Sequence, residues 1–403
     1  MNRTLQTLAE FESRNVTFIE PDGSWPIVWE RAQGMHVWDT AGKQYLDLTA
    51  AFGVAAAGHA NPAVVRAGQR QMKRLLHAMG DVHPHPLKGT LVRKLSEITF
   101  ERWTNRAVPG RTILGNSGFE AVEAALKTAL LATGKPGVIT FSGGYHGLGY
   151  GALNATHRPY FHKPFRPQLR RFGKAARWPD AGQAEKLART GKFGAILVEP
   201  IQARGGIRIP PPDFLPNLRR TCDRHGLLLI LDEIYSGFGR TGELFACEHV
   251  QVVPDLICLG KALTGGFPLS ACVGRAELMD RAWPRSHGEA LHTSTFLGHP
   301  VGCAMALAQI PVVQGLVKTS RVRGDFFLKE LAAAGIPARG IGLMTGIDMA
   351  NGAAAMAVIK RLLQRGYILL PEGDDGDVIS LTPPLIISEK QIRQVARALA
   401  EEL

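Results

Sequence analysis

The sequence predicts an α/β fold built around a mostly parallel β-sheet. Apolar runs at residues 194–198, 227–231 and 256–259 have the length and the composition of buried strands. These runs alternate with helical patterns, which is typical of a parallel sheet whose strands are joined by crossover helices. We therefore expect the functional residues at the ends of these strands.

A polar residue follows each of the three runs: Glu199, Asp232 and Lys261. In open α/β sheets, ligands bind in the crevice beyond the carboxyl ends of the strands. One polar strand end has little meaning, but three predict a shared active-site rim.

Length and composition limit the class of protein. The chain has 403 residues, of which 45% are hydrophobic, so a large core and two domains are expected. We find no apolar run of membrane-spanning length and no secretory segment at the N-terminus, so no membrane association is expected. The five cysteines form no C-x-x-C pair, which favours a reducing cytoplasm over a disulfide framework. His83 and His85 lie in a Pro-rich stretch without a third ligand, so a loop is favoured over a metal site.

The net charge of +12 is unevenly distributed. Residues 124–179 contain no acidic residue, and seven Lys or Arg residues lie between Arg158 and Arg177. A solvated loop is the first interpretation, and an electropositive approach for anionic ligands is the second. A nucleic-acid surface is the least favoured, because no recognised binding motif accompanies the charge.

Several other elements are visible in the sequence. Alternating stretches at residues 34–38 and 43–48 predict a hairpin. A helix is expected to begin at Pro62 and continue to about residue 77. Residues 378–381 form a strand candidate, and Ser388 is expected to cap the last helix.

The stretch LGNSGFEAVEAALKTALL, residues 114–131, predicts a helix with an exposed N-terminus. Ser117 and Glu120 have the spacing of a capping box. A helix N-terminus that follows Ser and Gly is a good phosphate site, although a well-capped helix alone explains the same pattern. A hydrolase G-x-S-x-G elbow is excluded, because Phe119 replaces its last glycine.

The polar strand ends suggest a chemistry. The amine of Lys261 can form an imine with a carbonyl, and the carboxylate of Asp232 can hold a proton on a pyridine nitrogen. This pair suits pyridoxal 5'-phosphate, although both residues also fit ordinary strand ends. Tyr145 and His146 follow a predicted strand and two glycines, and they offer an aromatic face to a flat ligand.

With these motifs, the chain resembles the class III (omega) aminotransferases of the pyridoxal phosphate fold-type I superfamily. The resemblance covers nearly the whole chain. It rests on these motifs in order: GNSGFEAVEAALK, Tyr145-His146-Gly147, Glu199-Pro200-Ile201-Gln202, LDEIYSGFGRTG, GKALTGGFPLSA and the turn at Thr295.

The resemblance implies a large cofactor domain, residues 56–299, with a seven-stranded, mostly parallel sheet. It implies a small α+β domain built from residues 1–55 and 300–403. It also implies a homodimer with active sites at the subunit interface. Its substrates would be an amine donor and a 2-oxo acid acceptor.

The resemblance also implies roles for individual residues. Lys261 would form the imine with the cofactor and move the proton, and Asp232 would pair with the pyridinium nitrogen. The remaining implied positions, which bind the phosphate, contact the ring or lie close to the site, are Ser117, Gly118, Phe119, Thr295 of the partner subunit, Tyr145, His146, Ile234 and Glu199.

Departures from the family motifs concern the substrate. Arg204 replaces the usual second glutamate, and Ser380 stands where the family has the arginine that pairs with it. Leu148 replaces an arginine found in members that act on acidic ω-amino acids, and Phe52 is a further substrate candidate. We hypothesise that Arg204 binds the carboxylate of the acceptor. The alternative is that Arg204 points to solvent and pairs with a surface acid.

The leading interpretation is an aminotransferase that moves an amino group from a primary amine or ω-amino compound to a 2-oxo acid by a ping-pong cycle. The second interpretation keeps the cofactor and changes the reaction to that of an aminomutase, racemase or decarboxylase. The third is a non-enzymatic basic binding protein on the same fold.

Overall fold

A computed structural model describes residues 2–403 of the chain. The strands in this range assemble into one seven-stranded and two four-stranded sheets. Their bounds are β1 Trp29–Gln33, β2 His36–Asp39, β3 Gln44–Asp47, β4 Gly110–Gly115, β5 Gly137–Phe141, β6 Gly173–Ala176, β7 Phe193–Val198, β8 Leu228–Asp232, β9 Leu256–Leu259, β10 Ser270–Arg275, β11 Arg339–Ile341, β12 Met344–Asp348, β13 Tyr367–Ile368, β14 Leu370–Glu372 and β15 Val378–Leu381.

Helices pack around these sheets, and short 3₁₀ turns lie at residues 163–168, 246–250 and 261–263. The helix bounds are α1 Arg3–Phe11, α2 Ala50–Gly53, α3 Pro62–Arg74, α4 Pro86–Ile98, α5 Phe100–Trp103, α6 Gly118–Thr133, α7 Tyr150–Ala155, α8 Pro159–His162, α9 Ala181–Ala188, α10 Phe214–His225, α11 Ala276–Ala282, α12 Pro300–Ala333, α13 Gly352–Gln364 and α14 Glu389–Ala400.

The seven-stranded sheet has the order β4-β10-β9-β8-β7-β5-β6. Strands β6, β5, β7, β8 and β9 are parallel, and β10 runs antiparallel to both β9 and β4. The mostly parallel α/β sheet predicted from the sequence is confirmed. The predicted strand at residues 256–259 matches β9, and the run at residues 227–231 is one residue out of step with β8.

The central strands are apolar up to their carboxyl ends because helices cover both faces of the sheet. Alternate residues of a strand point to opposite faces. In β8, Leu229 and Leu231 enter the core that holds α9 and α10. Leu228 and Ile230 enter the core on the other face, beneath α6. Every residue of β7, β8 and β9 is therefore buried.

The two smaller sheets connect the ends of the chain. The predicted hairpin is present as the antiparallel pair β2 and β3. Strand β13, from the C-terminal part of the chain, adds to the other side of β3 in parallel. The second small sheet has the order β11-β12-β15-β14. Sequence reasoning found β15 with its bounds, and it found the capping box of Ser388 and Gln391 that begins α14.

Some expected bounds were wrong. Helix α3 ends at Arg74 rather than near residue 77, because Leu75 is extended with a φ of −158°. Sequence reasoning also missed that α12 is long and apolar enough, by length and composition, to cross a membrane. In the fold this helix packs on α3 and α4, and Val301, Ile310 and Val313 are fully buried.

All five cysteines are buried, and none forms a disulfide. They lie in different elements, and Cys258 and Cys272 face each other across the antiparallel pair β9 and β10. Burial raises the pKa of the Cys222 and Cys247 thiols. These thiols therefore serve as small apolar side chains of the core.

Helix α12 closely approaches the turn between β11 and β12 at Gly324. A Cβ atom there would lie 2.1 Å from the carbonyl oxygen of Gly342. Gly315, in the same helix, is exposed, and a Cβ atom there would meet nothing within 4 Å. Close packing therefore requires glycine at position 324 and does not require it at position 315.

We expect Gly324→Ala to lower the free energy of unfolding by about 1–3 kcal/mol, because the new methyl group overpacks a backbone contact. Gly315→Ala is the matched control, and it should raise the free energy of unfolding by roughly 0.5–1 kcal/mol, because alanine has the higher helix propensity. Urea unfolding of both variants measures the difference. Equal midpoints for the two variants would contradict the close approach at Gly324.

Candidate active site

The carboxyl ends of β7, β8 and β9 open into one cavity of about 430 Å³. Glu199, Asp232 and Lys261 all line it. Asp232 is the last residue of β8, and Glu199 and Lys261 closely follow β7 and β9, so the sheet itself brings the two acids and the amine together. The structure thus collects the three polar strand ends that the sequence singles out.

Lys261 begins a short 3₁₀ turn just after β9, with Gly260 between them. Its φ of 35° is in the left-handed region, and such strain is frequent at functional sites. The Nζ atom lies 4.5 Å from the centroid of the Tyr235 ring. Burial lowers the pKa of Lys261, although Asp232 and Glu199 oppose this shift. A lowered pKa increases the fraction of neutral, nucleophilic amine at a given pH.

The carboxylate of Asp232 is fixed by two neighbours. Its Oδ2 atom lies 2.8 Å from Nδ1 of His146, and its Oδ1 atom accepts a hydrogen bond of 3.1 Å from the backbone of Ile234. His146 is buried, and its backbone N–H donates to Thr156. The orientation of Asp232 is therefore set from both sides.

Glu199 is buried beside Asp232. Its carboxylate accepts hydrogen bonds from the backbone N–H groups of Tyr145, at 2.9 Å, and Ala203, at 3.1 Å. Burial raises the pKa of Glu199 to about 7, while the neighbouring His146 opposes the shift. This carboxyl group can therefore change its protonation state near neutral pH.

The N-terminus of α6 reaches the same cavity through Gly118 and Phe119. The predicted capping box was wrong: Ser117 is the N-cap residue, but its side chain makes no capping hydrogen bond. Glu120 instead accepts from the backbone N–H of Asn116, at 2.6 Å. The buried Oγ atom of Ser117 has no partner within residues 2–403. A free hydroxyl and the helix dipole suit a phosphate group.

Close packing shapes the walls around this helix end. A Cβ atom on Gly118 would lie 3.1 Å from the Ile234 side chain. Gly147 has a φ of 112°, and a Cβ atom there would lie 2.4 Å from Phe119. Tyr145 and Leu148 also line the cavity. Glycine at these positions lets two loops and a helix end meet at one point.

Arg204 lies at the mouth of the cavity. Its guanidinium carbon is 4.7 Å from the centroid of the Tyr145 ring, within the range of a cation–π contact. Its Nε atom lies 3.7 Å from Oε2 of Glu372, on β14. Ser380 lies on β15 and is not part of the cavity wall. The partner of Arg204 is therefore a buried acid, and not a surface acid.

Sequence reasoning missed Glu372. The signal was present, because Glu372 follows the apolar run Tyr-Ile-Leu-Leu-Pro and precedes Gly373, much as Asp232 ends an apolar strand. Tyr235 was missed as well, and it lines the cavity with its pKa raised to about 12 by burial.

Other proposed residues lie outside the cavity wall of this chain. Thr295 and Phe52 are exposed, and Phe52 lies in the short α2, where its backbone angles are left-handed rather than helical. His85 caps α4, and its Nε2 atom lies 2.7 Å from the carbonyl oxygen of Gly298. In residues 2–403, no three His, Cys, Asp or Glu side chains are grouped so that they could hold a metal ion.

A partly buried lysine, a fixed carboxylate and a helix N-terminus with an unpaired serine hydroxyl lie on one rim of the α/β sheet, and together they suit an enzyme that uses pyridoxal 5'-phosphate. The family model "Aminotransferase class-III" matches residues 19–403. The chain belongs to this family.

Two relatives of similar length are aminotransferases named for different amine substrates, acetylornithine and putrescine. The chain is 38% identical over 387 residues to an acetylornithine aminotransferase of Methanopyrus kandleri, covering 94% of this chain and 95% of the relative. It is 36% identical over 403 residues to a putrescine aminotransferase of Pectobacterium atrosepticum, covering 94% of this chain and 83% of the relative.

Solved structures share the fold. The ornithine aminotransferase of Toxoplasma gondii superposes with a TM-score of 0.88 at 28% identity, covering 99% of this chain and 94% of that one. A transaminase of the marine bacterium Virgibacillus gives a TM-score of 0.90 at 26% identity, covering 99% and 98% of the two chains. These findings establish transfer of an amino group to a 2-oxo acid with pyridoxal phosphate as the cofactor.

Proposed function

We propose that the cavity at the ends of β7, β8 and β9 is the site where this aminotransferase moves an amino group from an ω-amino compound to a 2-oxo acid. The observation that carries the proposal is the meeting of Lys261, Asp232 and Glu199 in one cavity beside the free N-terminus of α6. The relatives named for acetylornithine and putrescine support an ω-amino donor.

When bound, the cofactor supplies an electron-withdrawing pyridinium ring that stabilises negative charge on the substrate carbon. Lys261 would hold it covalently and then carry the proton between substrate and cofactor. Asp232, oriented by His146, would keep the ring nitrogen protonated. The unpaired hydroxyl of Ser117, with Gly118 and Phe119, would hold the phosphate.

Further residues complete the site. Tyr145 and Ile234 would pack against the ring of the cofactor. Glu199 would gain or lose a proton as the charge of the neighbouring groups changes. Arg204 would bind the carboxylate of the acceptor, because a guanidinium offers two parallel hydrogen bonds to a carboxylate. Leu148 and Phe52 would contact the substrate. The basic segment between Arg158 and Arg177 would attract the anionic acceptor.

We further propose a homodimer in the cytoplasm. Exposed apolar side chains in residues 75–82 and 291–296 lie close together, since His77 and Phe296 pack at 5.3 Å. Such a patch marks an interaction surface. It adjoins Thr295, which would reach the phosphate of the neighbouring subunit. The domains would be residues 56–299 and, for the small domain, 1–55 with 300–403.

Lys261→Ala should abolish turnover, because within residues 2–403 Lys261 is the only lysine that lines the cavity. Borohydride reduction of the parent enzyme should fix the cofactor to the peptide that contains Lys261. Visible absorbance and peptide mapping measure this, and Lys192→Ala, at an exposed position, is the control. Labelling of a different lysine would overturn the assignment.

Asp232→Asn should keep the cofactor bound and slow the amine half-reaction on the order of 100- to 1,000-fold. A neutral amide stabilises the protonated ring poorly, and the loss of one preorganised electrostatic partner has effects of this size. Cofactor content and single-turnover absorbance measure the two quantities separately. Unchanged single-turnover rates would remove Asp232 from the proposed role.

Arg204→Ala should weaken kcat/KM for the 2-oxo acid roughly 10- to 150-fold, the loss expected for one charge-assisted contact of ~1.5–3 kcal/mol. The half-reaction with 1-aminobutane, which has no carboxylate, should barely change. Arg204→Lys should give an intermediate loss, because lysine keeps the charge without the planar fork. If both half-reactions fall together, or neither does, Arg204 is not the anchor of the acceptor.

A further inference from the structure

We propose that Glu372 is a specificity-determining residue that binds a second, cationic group on the amine donor, in exchange with Arg204. The donor favoured by this arrangement is a primary amine with an ammonium group at its far end. This inference rests on the proposed function of the cavity, and it adds Glu372 as the acid that binds the distal ammonium group of the donor.

Glu372 is a buried carboxylate whose negative charge has no close hydrogen-bond donor or ion-pair partner within residues 2–403. Its side chain is only 6% exposed. Within residues 2–403, its single ion-pair contact is the Nε atom of Arg204 at 3.7 Å, which is beyond hydrogen-bond distance. Buried carboxylates normally have close hydrogen-bond donors, so this one is arranged for a partner that the protein does not provide.

The position of Glu372 is fixed relative to the cavity. The backbone N–H of Gly373 donates to the carbonyl oxygen of Arg204, at 3.0 Å. Arg339 holds the same loop from the small sheet, because its Nε atom donates to the carbonyl oxygen of Ile207 at 2.8 Å. The end of β14 and the loop of Arg204 therefore form one unit beside Tyr145.

The charge of Glu372 reaches the reactive end of the cavity. Lys261, Tyr235 and Tyr145 all line the cavity. The negative charge of Glu372 opposes the lowering of the Lys261 pKa by burial, and it adds to the raising of the Tyr235 and Tyr145 pKa values by burial. Burial raises the pKa of Glu372 to about 7, and the positive charges of Arg204 and Lys261 oppose the shift. A cation bound at this point would gain a charge-assisted contact that a neutral group cannot make.

Glu372 is not among the residues that line the cavity, whereas its neighbour Arg204 is, so a ligand contacts Glu372 only when Arg204 moves. Arg204 is the more exposed partner of the pair. Its side chain is 40% exposed, and aromatic rings at 4.7 Å and 5.8 Å offer it cation–π contacts. When an acceptor carboxylate is bound, Arg204 turns to that carboxylate. When a donor with a distal ammonium is bound, that ammonium takes the place of Arg204 at Glu372. One locus thus accepts an anion in one half-reaction and a cation in the other.

The test compares two donors of equal carbon length, 1,4-diaminobutane and 1-aminobutane, in single-turnover amine half-reactions of the holoenzyme followed by cofactor absorbance. In Glu372→Gln, the preference for the diamine over the monoamine should fall roughly 10- to 150-fold, the effect of one charge-assisted contact. Glu372→Asp, which keeps the charge on a shorter side chain, should retain part of the preference. Thermal unfolding and cofactor content show whether each variant is folded.

Two results would overturn the proposal. An equal loss of rate with both amines would assign Glu372 a structural role, and an unchanged preference would remove it from the donor site. A double-mutant cycle with Arg204→Ala, measured on the 2-oxo acid half-reaction, should show coupling between the two residues, because they share one contact. Additive effects there would show that the two residues do not exchange partners.

Failure of the underlying function gives a different result. If the parent enzyme shows no absorbance change with either amine and no return of absorbance with a 2-oxo acid, the proposed transamination at this cavity is wrong. If the parent enzyme reacts and only the predicted change in preference is missing, the role of Glu372 alone is wrong.

Discussion

The parallel pairing of β8 with β7 on one side and β9 on the other is the constraint on which the site depends. Val198 pairs with Leu231, and Asp232 pairs with Cys258. Because neighbouring parallel strands end at the same edge, a shift of register by two residues would separate the polar strand ends. The apolar cores on both faces hold this register, since a one-residue slip would turn every side chain to the wrong face.

The same burial that stabilises the sheet determines the electrostatics of the cavity. Burial lowers the pKa of Lys261 and raises that of Glu199 to about 7. The carboxylate of Asp232 has a close partner, because Nδ1 of His146 lies within hydrogen-bond distance of its Oδ2 atom. The cavity is therefore lined by one carboxylate with a fixed partner, that of Asp232, and by a second, that of Glu199, whose charge depends on what is bound. A site that must process an amine and a 2-oxo acid in turn needs this difference.

Much of this architecture could be predicted from the sequence, because the central strands are continuous apolar runs and each ends in a polar residue. The family motifs then predicted the cofactor, and they suggested which residues would hold it. The capping box at Ser117 could not be judged from spacing, because Glu120 had a competing backbone partner at Asn116. Glu372 was missed because its meeting with Arg204 depends on contacts between two sheets that sequence patterns do not reveal.

The burial of all five cysteines has a practical meaning for this protein. No thiol on the folded chain meets solvent, and burial raises the pKa of several of them, so little thiolate is available to an external electrophile. A thiol reagent in solution then reacts at the rate at which the folded chain opens. The rate of cysteine labelling therefore measures how often the core of the native protein opens.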